Sequence, residues 1–176
     1  MKPIKNLLIL IIAIPMLLAC KKDDNGGESA FLLSKANIAG SHDLTYLTSN
    51  IEQTFEVNGI PVNSTTTIVG DTFQVVVVFS EDGTYAAEGQ YRITTTITVA
   101  GMTETDTEII VLDETGTFQL DANTQTITFD GGSEFGDGTF EFALFNENEM
   151  RITQSLAIDE NGATGDAETE VRFVRQ

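Results

Sequence analysis

Apolar and polar residues alternate with a period of two through most of the chain after residue 36. From Tyr85 to Val99 one face carries mainly aromatic and aliphatic residues, and the other carries threonine, glutamine and charged residues. Side chains alternate across a strand, so this period predicts a long half-buried strand. The same alternation runs through Phe140–Leu144 and Met150–Ile158. Phe73–Phe79 carries apolar residues on both faces, which predicts a strand covered by a second layer.

Turn signals separate these segments at regular intervals. Asn or Asp next to Gly suits the positive φ angles of tight hairpins. Asn58-Gly59 and Asp82-Gly83 are such signals, and Asp121–Thr124, Asn146–Asn148 and Asn161-Gly162 mark further reversals. The connections contain no helical period of useful length, so neighbouring strands should pair antiparallel. Eight to ten such strands leave exposed edges unless the sheet closes, which predicts an all-β, up-and-down β-barrel. A β-sandwich is the alternative, because only long-range pairing separates the two folds.

The N-terminus has the parts of a lipoprotein signal peptide. Lys2 and Lys5 precede the apolar run Leu7–Leu18, and Leu17-Leu18-Ala19-Cys20 reads as a lipidation box. This run is shorter than the roughly 20 residues that span a membrane. We therefore expect cleavage of residues 1–19, acylation of Cys20 and attachment to the membrane through the acyl chains. Residues 20–35 would form the lipidated cysteine and a flexible tether, and residues 36–176 one barrel domain; the alternative for 29–36 is a short helical turn at the barrel mouth.

Charge and composition exclude several partners. The chain has 27 acidic and 9 basic residues, with a formal net charge of −18. This charge repels phosphate, so we expect no nucleic-acid partner and no membrane contact other than the acyl chains. Cys20 is the only cysteine, so a disulfide framework is excluded. No Cys or His spacing suggests zinc, and we predict no cofactor and no metal site, although the acidic loops 130–137 and 159–162 leave calcium an open question.

Catalytic chemistry has little support in the sequence. His42 is the only histidine and stands beside Asp43. Consecutive strand residues point to opposite faces, so the two cannot form a local acid–base couple. No carboxylate pair is set apart by apolar neighbours that would raise one pKa, and acylation removes Cys20 as a nucleophile. We therefore predict that the protein is not an enzyme.

Several short motifs resemble those of one family. They are Ile38–Thr45 as an opening strand, the hairpin Phe79–Tyr85, Gly116–Leu120 with Thr126–Phe129, and Val171–Arg175 as a closing strand. Together they resemble the lipocalin-like domain lipoproteins of the Bacteroidota type. Lys22, Asp23 and Asp24 are similar to the export signal that follows the lipid cysteine in those proteins. The resemblance implies an outer-membrane lipoprotein of the cell envelope, and the similarity to the export signal implies exposure on the cell surface.

The same resemblance implies a barrel closed at one end. The chain has no tryptophan, and His42 stands after Gly40 where the family has the tryptophan that seals this end. Arg172 or Arg175 would be the basic residue that packs over it. The family's typical role implies a small hydrophobic or glycan-derived ligand inside the barrel. Seven aromatic residues are candidates to line such a pocket: Phe73, Phe79, Tyr85, Tyr91, Phe129, Phe140 and Phe142. The same side chains can instead fill the interior, and a filled barrel would suit a structural or interaction protein of the envelope.

Overall fold

The computed structural model describes residues 31–130, 138–160 and 162–176. This part of the chain contains one short helix and eight strands. The elements are α1 (Lys35–Ile38), β1 (Gly40–Val57), β2 (Ile60–Phe79), β3 (Thr84–Val99), β4 (Met102–Asp121), β5 (Thr126–Asp130), β6 (Gly138–Phe145), β7 (Glu149–Glu160) and β8 (Ala163–Arg175).

The eight strands form a closed barrel in which each strand pairs antiparallel with the next. β1 closes the ring by pairing with β8, so that His42 lies opposite Arg175 and Thr54 opposite Thr164. The prediction of an all-β, up-and-down barrel is therefore confirmed, with eight strands. The sandwich alternative is excluded, because the strand order runs once around the ring without a break.

The barrel has two parts because its strands differ in length. We call the end that contains α1, the start of β1 and the end of β8 the base. β5 has 5 residues and β6 has 8, whereas β1 to β4 have between 16 and 20. β4 pairs with β5 only over Thr117–Asp121, and β7 pairs with β6 only over Met150–Thr153. Eight strands thus form the base, and six of them continue as the upper part.

Aromatic side chains fill the base. Phe79 lies at the centre of this cluster, with its ring centroid 5.3 Å from that of Phe118 and 6.2 Å from that of Phe173. The Tyr85 ring lies 5.5 Å from Phe129 in an edge-on arrangement. Such edge-to-face pairs add about 0.5–1.5 kcal/mol each beyond the area that they bury. The interior of the base is therefore a packed hydrophobic core.

The packed structure begins earlier in the chain than residue 36. The side chain of Ser34 accepts a hydrogen bond from the amide of Asn37 and caps α1. Leu33 and Ile38 are buried, and the ring of Phe31 lies 5.0 Å from that of Phe145. Residues 31–35 therefore pack on the base instead of belonging to the tether assigned from sequence to residues 20–35.

A bulge in β2 sets the twist of the sheet. The pairing of β2 with β3 shifts between Asp71 and Gln74, and Thr72 has a positive φ of 50°. Gly89 lies opposite this bulge with a φ of 125°, and a Cβ atom there would overlap the carbonyl oxygen of Gln74. Only glycine allows the two strands to approach so closely. Bulges of this kind increase the local twist that a small barrel needs.

One prediction about β2 is wrong. Phe73–Phe79 was expected to lie beneath a second layer because both of its faces are apolar. Val75 and Val77 are buried inside the barrel, but Val78 on the outer face is 42 % exposed. No second layer covers this face within the part of the chain that the structure describes. Valine is favoured in strands by its branched side chain, so a valine on the outer face does not require burial.

Candidate functional site

The seven aromatic candidates are part of the core or pack against it. Phe79, Tyr85, Tyr91, Phe129 and Phe140 are each less than 5 % exposed. Phe73 and Phe142 are partly buried and pack on the same cluster. The rings contact one another, with 5.8 Å between the centroids of Phe73 and Tyr91 and 5.9 Å between those of Phe129 and Phe140. None of the seven lines the groove on β1 and β5 to β8 that is described below.

The structure brings three of the four barrel-closure candidates together at the base. The guanidinium of Arg175 donates hydrogen bonds to the carbonyl oxygens of Asn37 and Ala39. Gly40 has a φ of 127°, and a Cβ atom there would lie 3.1 Å from Arg175 Nη1. His42 is 3 % exposed, with its ring edge-on to Phe79 at 5.5 Å. Arg175 thus ties the last strand to α1 and to Ala39, the residue that follows it.

Arg172, the fourth candidate, lies on the outside of the barrel. Its guanidinium stacks on the ring of Tyr46 at 4.2 Å from the centroid, and its Nε donates to Glu170 at 2.6 Å. The hydrogen bond with Glu170 raises the pKa of Arg172. Alternation explains the difference, because Val171 and Phe173 point into the barrel and their neighbour must point outward.

Burial keeps His42 neutral. Removal of water from the imidazole lowers its pKa below 6.5, and the positive charge of Arg175 lowers it further. Its Nδ1 lies 3.2 Å from the carbonyl oxygen of Gly40, and this hydrogen bond acts in the opposite direction. Asp43 instead accepts a hydrogen bond from Gln176 at 2.7 Å. The arrangement holds the imidazole inside the base, where it supports packing.

A groove of about 850 Å³ lies on the outside of β1 and β5 to β8. Its floor follows one row of paired residues across the five strands: Thr126, Glu141, Thr153, Glu170 and Thr48. Ser155, Glu168 and Asn50 form a second row beside it. These residues alternate with buried ones on their strands, so their side chains point outward. We call this surface the polar groove.

The polar groove reaches the point where β6 and β7 separate. Glu141 pairs with Thr153, but the next outward-facing residues of the two strands, Thr139 and Ser155, do not pair. Gln154 partly bridges the opening, because its amide donates to the carbonyl oxygen of Thr139 at 3.3 Å. Leu156 also lines the groove here. The separation of the two strands therefore deepens the groove beyond the curvature of the sheet.

The chemistry of the groove is polar and acidic. Apart from Gly138 and Leu156, every residue that lines it carries a hydroxyl, amide or carboxylate group. Three of these residues are acidic: Glu141, Glu168 and Glu170. Carboxylates accept hydrogen bonds, whereas hydroxyls and amides also donate them. The lining can therefore form many hydrogen bonds with a polar ligand.

Arginines lie at the base-side end of the groove. Glu170 Oε1 lies 2.6 Å from Arg172 Nε and 3.6 Å from Arg151 Nε. Arg151 and Arg172 lie opposite each other on β7 and β8, and Tyr46 pairs with Arg172 on β1. This end of the groove is consequently less negative than the end at Glu168.

Comparison with known proteins adds no assignment. No protein-family model, curated protein or solved structure matches this chain. The groove must therefore be interpreted from its own residues.

Sequence reasoning did not identify the groove. Its signal is present in the alternation, since Thr153 and Ser155 flank inward residues on β7, as Glu168 and Glu170 do on β8. Which of these outward residues become neighbours depends on the register across five strands. The pattern along one strand does not contain that information.

The predicted anchor lies outside the described residues. Cys20 and the candidate export signal Lys22, Asp23 and Asp24 all precede residue 31. Residues 131–137 and 161 of the two acidic loops also lie outside them. Within 31–130, 138–160 and 162–176, no group of three or more His, Cys, Asp or Glu side chains is arranged to hold a metal ion. No helix in those ranges has the length and apolar character needed to cross a membrane.

Proposed function

We propose that this protein is a non-catalytic binding protein of the cell envelope that takes up a hydroxyl-rich, glycan-derived ligand in the polar groove. The observation that carries the proposal is the lining of that groove. Sugar hydroxyls both donate and accept hydrogen bonds, and the Thr, Ser, Asn, Gln and Glu side chains of the groove offer both kinds of partner. Its volume of about 850 Å³ is in the range of small-molecule sites.

An apolar ligand inside the base has weaker support. The aromatic side chains that would line such a site contact one another, and Phe79 alone has ring neighbours on five other strands. A ligand there would have to displace this packing. Each aromatic ring that is displaced into water costs about 1.5–3 kcal/mol of free energy, because its apolar surface is no longer buried. The outer groove requires no such displacement.

A second role is favoured by the same packed core. A filled barrel is a rigid body, and we propose as the alternative that it serves as a structural or interaction protein that presents its outer surface to partners. The observation for this alternative is the aromatic cluster around Phe79. Absence of saccharide binding would leave this second role as the better proposal.

In either role we place the protein at the membrane. The apolar run that ends in Leu17-Leu18-Ala19-Cys20 supports lipidation of Cys20, and the resemblance to lipocalin-like lipoproteins of the envelope supports the outer membrane. The polar residues after Cys20 would separate the barrel from the lipid surface.

The groove is tested by ligand binding to the full chain. We expect at least one neutral oligosaccharide from a panel of malto-, cello- and chito-hexaose to bind in isothermal titration calorimetry. Ser155→Trp places a large ring on the outer face at the centre of the groove and should weaken binding at least tenfold. Thr105→Trp is the matched control on the outer face of β4 and should leave the affinity unchanged.

Two results would contradict the proposal. One is the absence of saccharide binding at millimolar concentration. The other is equal affinity of the Ser155→Trp and Thr105→Trp proteins. A fatty-acid probe included in the same series would show instead whether the interior accepts an apolar ligand.

A further inference from the structure

β4 has a long edge that faces no described strand. It pairs with β3 along its whole upper length, from Met102 opposite Val99 to Thr117 opposite Thr84. On its other side, pairing with β5 begins only at Thr117. Between Met102 and Gly116, none of residues 31–130, 138–160 or 162–176 pairs with this side of β4. We call residues 103–111 of this side the β4 edge.

The register shows which main-chain groups the β4 edge presents. The hairpin at Ala100-Gly101 makes Val99 and Met102 the first pair, so even-numbered residues of β4 direct their N–H and C=O groups toward β3. The amide of Phe118 follows this rule by donating to the carbonyl oxygen of Gly83 at 2.7 Å. The odd-numbered residues point the other way. Thr103, Thr105, Thr107, Ile109 and Val111 therefore present their main-chain groups at the β4 edge.

The opposite side of the opening is also an edge. Beyond Thr153, β7 pairs with β8 alone among the described residues. β5 and β6 occupy the space between β4 and β7 only at the base. An incoming strand beside β4 would thus continue the hydrogen-bonded wall of the barrel above them.

The two faces of the β4 edge differ in chemistry. On the outer face Ile109 is 65 % exposed and Val111 is 70 % exposed. On the inner face Glu104, Asp106 and Glu108 are exposed carboxylates at alternate positions. Neighbouring strands place their side chains directly opposite one another, so opposite charges and apolar pairs stabilise the pairing. The matching strand would carry basic residues on its inner face and, opposite Ile109 and Val111, apolar residues on its outer face.

We propose that the β4 edge is a strand-addition site for an extended segment of a partner protein in which basic and apolar residues alternate. Main-chain hydrogen bonds supply the affinity, and the Asp106 and Glu108 carboxylates select lysine or arginine. A second copy of this chain is a poor occupant, because each copy carries a net charge of −18 and its own β4 edge repeats the same carboxylates.

The probe is a seven-residue peptide of alternating lysine and valine, capped at both ends. We expect it to bind the full chain at least tenfold more tightly than the matching glutamate–valine peptide. Hydrogen exchange measured by NMR should show new protection of the Thr105, Thr107 and Ile109 amides. The Asp106 and Glu108 amides, which already face β3, should change little. This alternation is expected of strand addition and not of loose charge pairing.

Two substitutions at one position provide a matched pair. Thr107→Pro removes a main-chain N–H that faces the open edge and leaves the bonds to β3 intact, since proline is tolerated on edge strands. This substitution should lower the affinity for the lysine–valine peptide at least tenfold. Thr107→Ala keeps the N–H, so its affinity for the peptide should stay within threefold of that of the parent protein. The double charge reversal Asp106→Lys with Glu108→Lys should reverse the preference, so that the glutamate–valine peptide binds more tightly than the lysine–valine peptide.

Several outcomes would overturn the proposal. They are equal affinity for the lysine and glutamate peptides, equal affinity of Thr107→Pro and Thr107→Ala, or protection spread over odd and even amides alike. Sedimentation that shows a dimer of the parent protein and a monomer of Thr107→Pro would assign the β4 edge to a second copy instead. Circular dichroism of each variant separates loss of binding from loss of fold.

Discussion

The properties of His42 depend on its position at the base, where β1 and β8 close the barrel. Its ring packs against Phe79 and lies near the positive charge of Arg175. An imidazolium at this position would lose its contact with water and be repelled by Arg175. The lowered pKa of His42 follows from this position in the fold. The sequence places His42 at the tryptophan position of the resembled family, but it does not distinguish Arg172 from Arg175 as its cover. That choice depends on which residues of β8 point inward.

The lowered pKa of His42 predicts a pH-dependent stability. The folded form binds the proton less well than the unfolded chain, whose histidine has a pKa near 6.5. The free energy of unfolding is therefore highest above pH 6.5 and decreases as the pH falls from 6.5 toward the lower pKa of the folded form. One group contributes at most about 1.4 kcal/mol per pH unit. His42→Phe should flatten this slope in urea unfolding measured from pH 7 to pH 5.

Three aspartates with lowered pKa values act outside the pH window of the His42 prediction. The pKa values of Asp71, Asp82 and Asp121 are lowered below 3.8 by hydrogen bonds from Arg92, Thr84 and Asn123 respectively. Their contributions to stability are lost only at more acidic pH. An unchanged slope between pH 6.5 and 5 in the His42→Phe protein would refute the role assigned to the imidazole.

The individual strands are the level at which the sequence is most informative. The alternation from Tyr85 to Val99 matches β3, in which Tyr85, Ala87 and Tyr91 are buried. The Asn58-Gly59 turn has the positive φ angles expected of a tight hairpin, 54° and 78°. The turn at Ala100-Gly101 was missed, because alanine rarely adopts the φ of 50° that it has there.

The bulge in β2 also could not be predicted from the sequence. Thr72 adopts a φ of 50° close to the point where Gly89 pairs with Val75, and neither Thr72 nor Gly89 signals the other in the sequence. A bulge depends on how two strands meet, and the hydrophobic pattern describes each strand separately. The polar groove was missed for the same reason, since it depends on register.

Gly89 permits a prediction about β3. Gly89→Ala introduces a Cβ atom that overlaps the Gln74 carbonyl oxygen at a φ of 125°, so we expect a loss of about 2–4 kcal/mol in the free energy of unfolding. Gly59→Ala is the control, because Gly59 also has a positive φ but no atom lies within 4 Å of the new Cβ. The control should cost about 1 kcal/mol. Urea titration compares the two, and equal losses would contradict the close approach of β2 and β3 at Gly89.

At the scale of the whole molecule, the closed ring follows from the short connections. Every turn joins neighbouring strands, so the order of strands around the barrel is their order in the chain. The sequence predicts this order because no segment is long enough to cross over the sheet. It does not predict that β5 and β6 are too short to reach the top of the ring. That mismatch creates both the polar groove and the β4 edge.

The proposed membrane anchor also belongs to the scale of the whole protein. Cys20→Ser removes the only cysteine, so we expect the variant to incorporate no palmitate and to move from the membrane to the soluble fraction. Detergent phase partitioning after metabolic labelling checks both expectations. The double variant Asp23→Ala with Asp24→Ala should remain lipidated and lose only exposure to added protease. Partitioning of Cys20→Ser into the detergent phase would refute the lipoprotein assignment.

The seam between β1 and β8 has a consequence for synthesis. It joins the first strand of the barrel to the last, and Arg175 at the end of β8 secures the base. Ribosomes deliver the chain from its N-terminus, so β1 emerges long before its partner. Until β8 has been synthesised, β1 has a hydrogen-bonding edge with no native occupant. The ring therefore closes only after β8 has emerged, and loss of Arg175 would leave the seam unsecured at the base.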